Sequence, residues 1–219
     1  AAKVGVPKPA VDLTPGTSNY QAKLEIQGQS IPLSVTDTVK EDGGAWSVTE
    51  TVTTPQGDIS DITYLDKGSL VVTKRQVKQG PVSIDVEFKG NKATGTMTMN
   101  GQPTTISAET GGALFADGAG SFQVIASLPL AEGYVTTFRN FDLQKQKIKL
   151  MQVKVMGTDK VSSSAGAVDA FKIEITSADG GNDHATLWVG KDSRKILKVS
   201  AVLPEMGGAV LTMEPGSGH

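Results

Sequence analysis

The side chains best suited to nucleophilic or acid–base chemistry are few and scattered in this sequence. His184 is the only internal histidine, and a Ser-His-Asp arrangement would have to join it to a serine from Ser162 to Ser164 and to an acid such as Asp159. No Gly-x-Ser-x-Gly nucleophile elbow is present. The simpler interpretation of His184 is a polar residue at the start of a strand, so we predict no catalytic residue.

Sites for metals and nucleotides are also poorly supported. The turn at 179–183 has the acids and glycines of a small calcium loop, but it lacks the spacing and the terminal glutamate of that loop. The chain has no cysteine to supply a thiolate ligand. Neither a Walker loop nor a dinucleotide-binding glycine loop appears. We therefore expect neither a metal nor a cofactor.

Paired carboxylates are the remaining route to catalysis. Because distant strands can bring any two acids together, a carboxylate-based enzyme stays open as an alternative function. It predicts a cleft in which two acids face each other and at least one has a raised pKa. The ordinary interpretation is that the acids lie on solvated strand faces and pair with lysines across the sheet. The acids in question are Glu25, Asp37, Glu50, Asp61, Asp85, Glu87 and Glu174.

These residues fall in segments where apolar and polar residues alternate, from Tyr20 to Met213, with turn residues about every eight to twelve positions. Apolar residues line one side of a single short helix, for which Ser121 is the predicted N-cap. Near Met151 the apolar phase slips by one residue, which predicts a β-bulge. The predicted fold class is all-β and mainly antiparallel: a strongly curved, partly closed sheet or incomplete barrel with one short helix near residues 119–129.

The sequence divides into an N-terminal tail and a β domain. Residues 1–18 carry Pro and Gly without a period and are predicted to form an extended N-terminal tail. Residues 19–215 are interpreted as a single β domain, either without internal symmetry or built from two similar halves, 19–110 and 119–215. The second interpretation depends on two hairpins of the same layout, at 63–74 and 187–198.

Composition limits the partners. Lys and Arg total 21 against 23 Asp and Glu, and the net charge of −2 is spread evenly, so no basic stripe exists to follow a nucleic acid. No apolar run approaches the roughly 18 residues of a transmembrane segment. Ala1-Ala2 and the Pro-bearing stretch after it resemble the start of a mature exported protein. We expect a periplasmic or secreted bacterial protein whose signal peptide has been removed.

The region 128–214 resembles a known family. Its motifs are Leu-Pro-Leu at 128–130, Val-Met-Gly-Thr-Asp-Lys-Val at 155–161, Phe-Lys-Ile-Glu-Ile at 171–175 and Ala-Thr-Leu-Trp-Val at 185–189. On these motifs it resembles exported bacterial β domains of unknown function, which are similar in outline to the incomplete barrels of periplasmic lipoprotein carriers. The resemblance implies a curved sheet with a helix in one mouth and an apolar cavity. Lipidated carriers have an N-terminal cysteine, which this sequence lacks, and no functional residue is carried over.

Aromatic residues make up only 5% of the chain, so their placement matters. The function predicted is non-catalytic binding, either of an apolar or lipid-like ligand in the concave face or of a protein partner at a sheet edge. The alternatives are an accessory domain of a larger secreted hydrolase and the carboxylate-based enzyme. If the inner face encloses a cavity, large aromatic side chains are able to line it, although core packing is their commoner role. The predicted lining residues are Trp46, Tyr64, Phe88, Phe138 and Trp188.

Overall fold

The computed structural model describes residues 4–216; the first three residues of the predicted tail lie outside this part. Within it the alternating segments form fourteen β-strands, with one α-helix, α1 (Ser121–Ala126), and one 3-10 helix (Pro204–Met206). The strands are β1 (Gly16–Ile26), β2 (Gln29–Asp42), β3 (Ala45–Thr54), β4 (Gly57–Asp66), β5 (Val72–Gln79), β6 (Val82–Lys89), β7 (Lys92–Met99), β8 (Gln102–Glu109), β9 (Val135–Asp142), β10 (Lys147–Ser163), β11 (Gly166–Ser177), β12 (His184–Gly190), β13 (Ile196–Leu203) and β14 (Ala209–Pro215).

All these strands belong to one antiparallel sheet in the order β8-β7-β6-β5-β4-β3-β2-β1-β14-β13-β12-β11-β10-β9. Two meanders, β1 to β8 and β9 to β14, therefore meet where β1 pairs with β14. β8 and β9 form the two edges, so strand pairing does not close the sheet. The predicted fold class, a partly closed antiparallel sheet with one short helix, is confirmed.

Strand alternation gives the sheet an inner and an outer face. On β3, Trp46 and Val48 are both buried, and Val48 lies opposite Val39 of β2 and Thr63 of β4. Residues that lie opposite each other in an antiparallel pair share a face, so these side chains all point inward. The inward side chains of both meanders join one hydrophobic cluster, which is the core of the molecule.

The helix α1 lies against this inner face, within the predicted 119–129 but shorter than that range. Gly120, with a φ of 77°, occupies the N-cap position and makes no side-chain cap, so the prediction of a Ser121 cap is wrong. The helix ends at Ala126, shortly before Pro129, whose ring disfavours helical conformation in the residue before it. Its buried residues are Val124, Ile125 and Ala126.

The predicted β-bulge lies in β10 but not near Met151. The pairing of β10 with β9 is continuous, and its register with β11 shifts only between Val155 and Gly157. The change of apolar phase in the sequence has another cause. Ile148 and Leu150 lie on the face opposite to the buried Met151, and they are half-buried there.

The end of the sheet that α1 covers is called the plugged end here. The N-terminal tail crosses it: Asp12 accepts hydrogen bonds from Trp46 Nε1 at 2.7 Å and from the Gly68 N–H at 3.3 Å. Ala10 N–H donates to the Ser127 carbonyl, just after α1, at 2.8 Å. The opposite end carries the turns β1–β2, β3–β4, β5–β6 and β13–β14 and is called the open end.

Candidate functional site

Three carboxyl groups lie side by side across the inner face of β2, β3 and β4, and we call them the acidic row. Asp37 lies opposite Glu50, and Glu50 lies opposite Asp61. Asp37 alternates with the buried Val35 and Val39, which confirms that it points inward. The expectation that these acids occupy a solvated face and pair with lysines is wrong for these three.

Burial is uneven along the row. Asp37 is only 4% exposed, Glu50 is half-buried, and the Asp61 side chain is 16% exposed. Gln123 of α1 donates from Nε2 to Asp37 Oδ2 at 2.8 Å, whereas Asp37 Oδ1 is buried without a hydrogen-bond donor. Solvent therefore reaches the row from the Glu50 and Asp61 side, while α1 covers Asp37.

Asp37 and Glu50 face each other, and their raised pKa values indicate that the pair keeps one proton near neutral pH. Burial, followed by the neighbouring charge of Asp37, raises the pKa of Glu50 to about 9. Burial also raises the pKa of Asp37. Facing acids whose pKa values are both raised do not both ionise near neutral pH, so a protonated Glu50 is the natural donor to Asp37. This is the facing pair with a raised pKa that the enzyme alternative requires.

Arg75 of β5 connects the acidic row to the segment before α1, residues 110–120. Its Nη2 lies 2.6 Å from Asp61 Oδ2, and its Nη1 lies 3.7 Å from Asp117 Oδ1. Burial lowers the pKa of Arg75, but the charges of Asp117 and Asp61 outweigh this and raise it, so the guanidinium stays charged. Burial raises the pKa of Asp117 more than Arg75 lowers it. Asp117 Oδ2 also accepts the Phe141 N–H of edge strand β9 at 2.7 Å, so this segment bridges the two meanders.

Two glycines allow the segment to lie flush against the inner face. Thr63 Oγ1 accepts the Ala119 N–H at 2.9 Å, and a Cβ on Gly118 would lie only 2.5 Å from that same oxygen. A Cβ on Gly120 would lie 2.8 Å from Val48 Cγ1. Both glycines also have positive φ, so the close approach and the backbone conformation each require them.

At the open end the inner face is apolar and accessible to solvent. There several inward apolar side chains are half-buried, whereas most of those at the plugged end are fully buried. The register places this set on the inner face of both meanders. We call it the apolar mouth: Leu33, Val52, Val77, Val82, Met97, Ala185, Leu203 and Leu211.

Three of the five predicted lining residues lie on the inner face, all in the core at the plugged end rather than in the mouth. Trp46 is 4% exposed and hydrogen-bonded to the tail. Phe138 packs edge-to-face on Phe115 with ring centroids 5.7 Å apart, and Phe88 packs in the same way on Phe141. Their role as ligand contacts stays a prediction.

Tyr64 and Trp188 lie on the outer face, which corrects their expected placement in the cavity. Each is the neighbour of an inward residue, Leu65 and Leu187 respectively, so alternation points it outward. The ammonium groups of Lys74 and Lys198 lie 5.9 Å and 5.2 Å from the ring centroids of Tyr64 and Trp188. These rings therefore belong to a solvated surface.

The remaining candidates do not come together. His184 starts β12 at the open end, 4.0 Å from Glu174, and lies opposite Thr176 of β11, whereas Ser163 lies opposite Gly166 of the same strand. Ten strand residues separate these positions by about 33 Å, which excludes the Ser-His-Asp arrangement with Ser163. Among residues 4–216, no group of three or more His, Cys, Asp or Glu side chains is arranged to hold a metal ion.

A groove of about 870 Å³ lies at the tip of the β10–β11 hairpin, away from the acidic row. Its lining combines hydroxyl, charged and apolar side chains, including Ser162, Val168, Lys195, Leu197 and Glu214. A smaller concavity of about 330 Å³ lies on β4 to β7. Neither concavity includes a member of the acidic row.

The fold is similar to that of solved structures. A β-barrel-like protein of the domain of unknown function DUF1849 from Brucella abortus matches with a TM-score of 0.60 and 10% identity over 95% of this chain and 98% of that one. A hypothetical lipoprotein, YmcC, from Escherichia coli matches with a TM-score of 0.36 and 10% identity over 92% of this chain and 84% of that one. A DUF1329 family protein from Desulfovibrio piger matches with a TM-score of 0.34 and 10% identity over 93% of this chain and 85% of that one. The first match shows a shared fold and nothing about function. The TM-scores of the other two are too low to show even a shared fold.

Among residues 4–216, no helix combines the length and the apolar character that crossing a membrane requires. Comparison with curated proteins gives no match. A family model described as a protein of unknown function, DUF3108, matches residues 19–214 and so takes in both meanders. The resemblance to a β-domain family of unknown function is confirmed, and the chain belongs to the DUF3108 family.

Proposed function

We propose that this protein binds a ligand with an apolar chain, which enters the apolar mouth from the open end, and that it does so without catalysing a reaction. The observation that carries the proposal is a difference in burial along single strands. On β3, Val48 is 0% exposed whereas Val52 is half-buried; on β6, Val86 is 0% exposed whereas Val82 is half-buried. The inner face is thus sealed at one end and exposes apolar side chains at the other.

An apolar chain would complete the burial of these side chains. Each methylene group removed from water contributes about 0.8 kcal/mol, so affinity should rise with chain length. The α1 segment already fills the plugged end, which leaves the open end for the chain. Mouth residues on both meanders, such as Val77 and Leu211, would contact it from two sides.

The acidic row supports binding better than catalysis. A carboxylate-based reaction needs one acid free to act as a base or nucleophile. Asp37 would be that group, because Glu50 holds the shared proton, but Asp37 is 4% exposed and one of its oxygens is occupied by Gln123.

The proposal places the protein outside the cytoplasm of a bacterial cell. Its support is the resemblance of residues 128–214 to exported β domains. Fractionation of cells that express the natural full-length gene tests this placement, and recovery only with cytoplasmic markers would contradict it.

Binding can be tested with the fluorescent apolar probe N-phenyl-1-naphthylamine. We expect it to bind the wild-type protein and to bind Val52→Gln several-fold more weakly, because the substitution places an amide in the mouth. Val202→Gln is the matched control, since Val202 is 38% exposed and alternates with the inward Ala201. Circular dichroism and melting temperature establish that each variant is folded. Absence of probe binding to the wild type, or equal binding to both variants, would contradict the proposal.

A further inference from the structure

We propose that the polar end of the bound ligand is a primary ammonium group, which lies between Asp37 and Glu50 of the acidic row and displaces the proton that they share. This inference rests on the proposed function, because the apolar chain attached to the ammonium would occupy the apolar mouth. The ligand class is therefore a long-chain primary amine or a larger amphiphile that carries one.

Charge within the cluster is the first support. Four carboxyl groups face one guanidinium there, and Arg75 contacts only Asp61 and Asp117 among them. The described residues show no ion pair from Asp37 or Glu50 to a lysine or arginine. A cation from outside the chain would complement this pair, whereas a fatty-acid carboxylate would add a further negative charge to it.

A buried acceptor with no N–H donor is the second support. Asp37 is 4% exposed, yet its Oδ1 has no donor, while Oδ2 is satisfied by Gln123. A buried acceptor without a donor is unfavourable, and in the free protein only the proton on Glu50 supplies one. A primary ammonium carries three N–H donors and can serve both carboxylates at once.

The position of the row relative to the mouth is the third support. Val35 and Val52 lie two residues from Asp37 and Glu50 on the same faces of β2 and β3, toward the open end. Two strand residues span about 7 Å, so a chain attached to an ammonium in the row would run directly along Val52. The half-buried Glu50 and Asp61 leave this approach open, whereas Gln123 covers the opposite side.

Binding of the ammonium should release a proton. No covalent bond forms or breaks in the ligand: the ammonium enters as a cation, the Glu50 carboxyl loses its proton to the buffer, and the resulting carboxylate accepts hydrogen bonds from the ammonium. The other titratable or charged groups that face the pair are Tyr20 from β1, Asp61 from β4 and Arg75 from β5.

Isothermal titration calorimetry of the whole chain at pH 7 tests the inference, with dodecylammonium, dodecanol and dodecanoate as probes below their micellar concentrations. We expect dodecylammonium to bind at least about tenfold more tightly than dodecanol and dodecanoate to bind most weakly, since charge-assisted hydrogen bonds form only with the first. Comparison of phosphate and Tris buffers, whose ionisation heats differ, should reveal up to one proton released for each dodecylammonium bound. Dodecyltrimethylammonium, which lacks N–H donors, should lose most of the advantage.

Glu50→Gln should abolish both the proton release and the preference for the ammonium, because the amide has no acidic proton. Glu87→Gln on the exposed outer face is the matched control and should keep both. If dodecanol binds and dodecylammonium binds no better, the inference is wrong and the proposed function stands. If none of the dodecyl probes binds, the proposed function fails and the inference fails with it. Proton release that persists in Glu50→Gln would also overturn the inference.

Discussion

Leu70 and Arg194 occupy equivalent positions in two hairpin turns, one in each meander. Their φ angles are 57° and 59°, and the N–H of each donates to the carbonyl four residues earlier, at Asp66 and Gly190, with lengths of 2.9 Å and 3.0 Å. In both hairpins the strand before the turn has a register shift, at Tyr64/Leu65 and Trp188/Val189. Two turns that share both the hydrogen bond and the strained residue support the proposal that the domain consists of two similar halves.

The two turns hold opposite ends of the segment that contains α1. Val72, just after the first turn, donates its N–H to the Leu114 carbonyl at 3.0 Å. Arg194 itself donates from Nη1 to the carbonyls of Ala126 and Leu128, at 3.0 Å and 2.6 Å. The carbonyl of Ala126, the last helical residue, has no partner within the helix, so Arg194 both satisfies it and places a positive charge at the negative end of the helix dipole.

Arg194→Met should therefore destabilise the protein by about 1–3 kcal/mol, because it removes charge-assisted hydrogen bonds to partly buried carbonyls. Urea unfolding measures the loss, and hydrogen exchange should show faster exchange over residues 121–128 in particular. Lys195→Met, next in the chain but exposed, is the control and should unfold like the wild type. A stable Arg194→Met with unchanged exchange in α1 would show that the arginine does not hold the helix.

Because the pKa of Glu50 is raised in the folded state, we expect Glu50→Gln to stabilise the protein at neutral and alkaline pH. The pKa of Glu50 rises from an ordinary 4.5 to about 9 in the folded state, so between these values the folded state binds more protons than the unfolded one. The contribution of Glu50 to stability is complete below pH 4.5 and is lost as the pH rises toward 9. A glutamine mimics the protonated acid at every pH and should gain about 1–3 kcal/mol at pH 8.

Urea unfolding at pH 5 and pH 8 checks this prediction. The difference between Glu50→Gln and wild type should be small at the lower pH and should grow at the higher one. A variant that is less stable than wild type at pH 8 would mean that the Glu50 carboxylate is ionised and stabilising in the folded protein.

The flush contact of the α1 segment predicts that Gly118→Ala is strongly destabilising, by about 2–4 kcal/mol. The added Cβ would lie 2.5 Å from Thr63 Oγ1 and would also meet the Arg75 side chain, at a φ of +76°. Gly133→Ala separates the two causes, because Gly133 has a φ of +81° with no atom within 4 Å of an added Cβ. It should cost only about 1 kcal/mol, the strain of the left-handed conformation alone. Equal losses in the two variants would mean that the contact with Thr63 and Arg75 is unimportant.

Local alternation was enough to predict strands such as β6, which places an apolar residue at every second position from Val82 to Phe88. The same rule failed to identify the acidic row. On β4, Ile62 and Tyr64 are more apolar than Asp61 and Thr63, so they indicate the wrong inner face. The spacing Trp46-x-Val48-x-Glu50-x-Val52 on β3 was the available signal, since it puts Glu50 in phase with three apolar residues.

Long-range pairing was beyond local reasoning. The contact of β1 with β14 joins two distant parts of the chain, and no local pattern specifies it. The sharing of a proton by Asp37 and Glu50 depends on the exact register of β2 with β3 and on Gln123 of α1. A one-residue slip in that register would move every side chain of a strand to the other face, so the site exists only once the whole sheet is assembled.

Arg75 is expected to be the least replaceable charged residue of the cluster. Arg75→Met should destabilise the protein by about 3–5 kcal/mol, because it leaves Asp61 and Asp117 buried without their cation. Lys160→Met is the matched control. Its ammonium lies 2.7 Å from Asp169 in an exposed ion pair, with side chains 73% and 54% exposed, so the variant should unfold like the wild type. Adding Asp61→Asn and Asp117→Asn to Arg75→Met should recover part of the loss, since neutral amides need no counter-charge. If the triple variant is no more stable than Arg75→Met alone, the arginine acts through packing of its aliphatic chain and not through its charge.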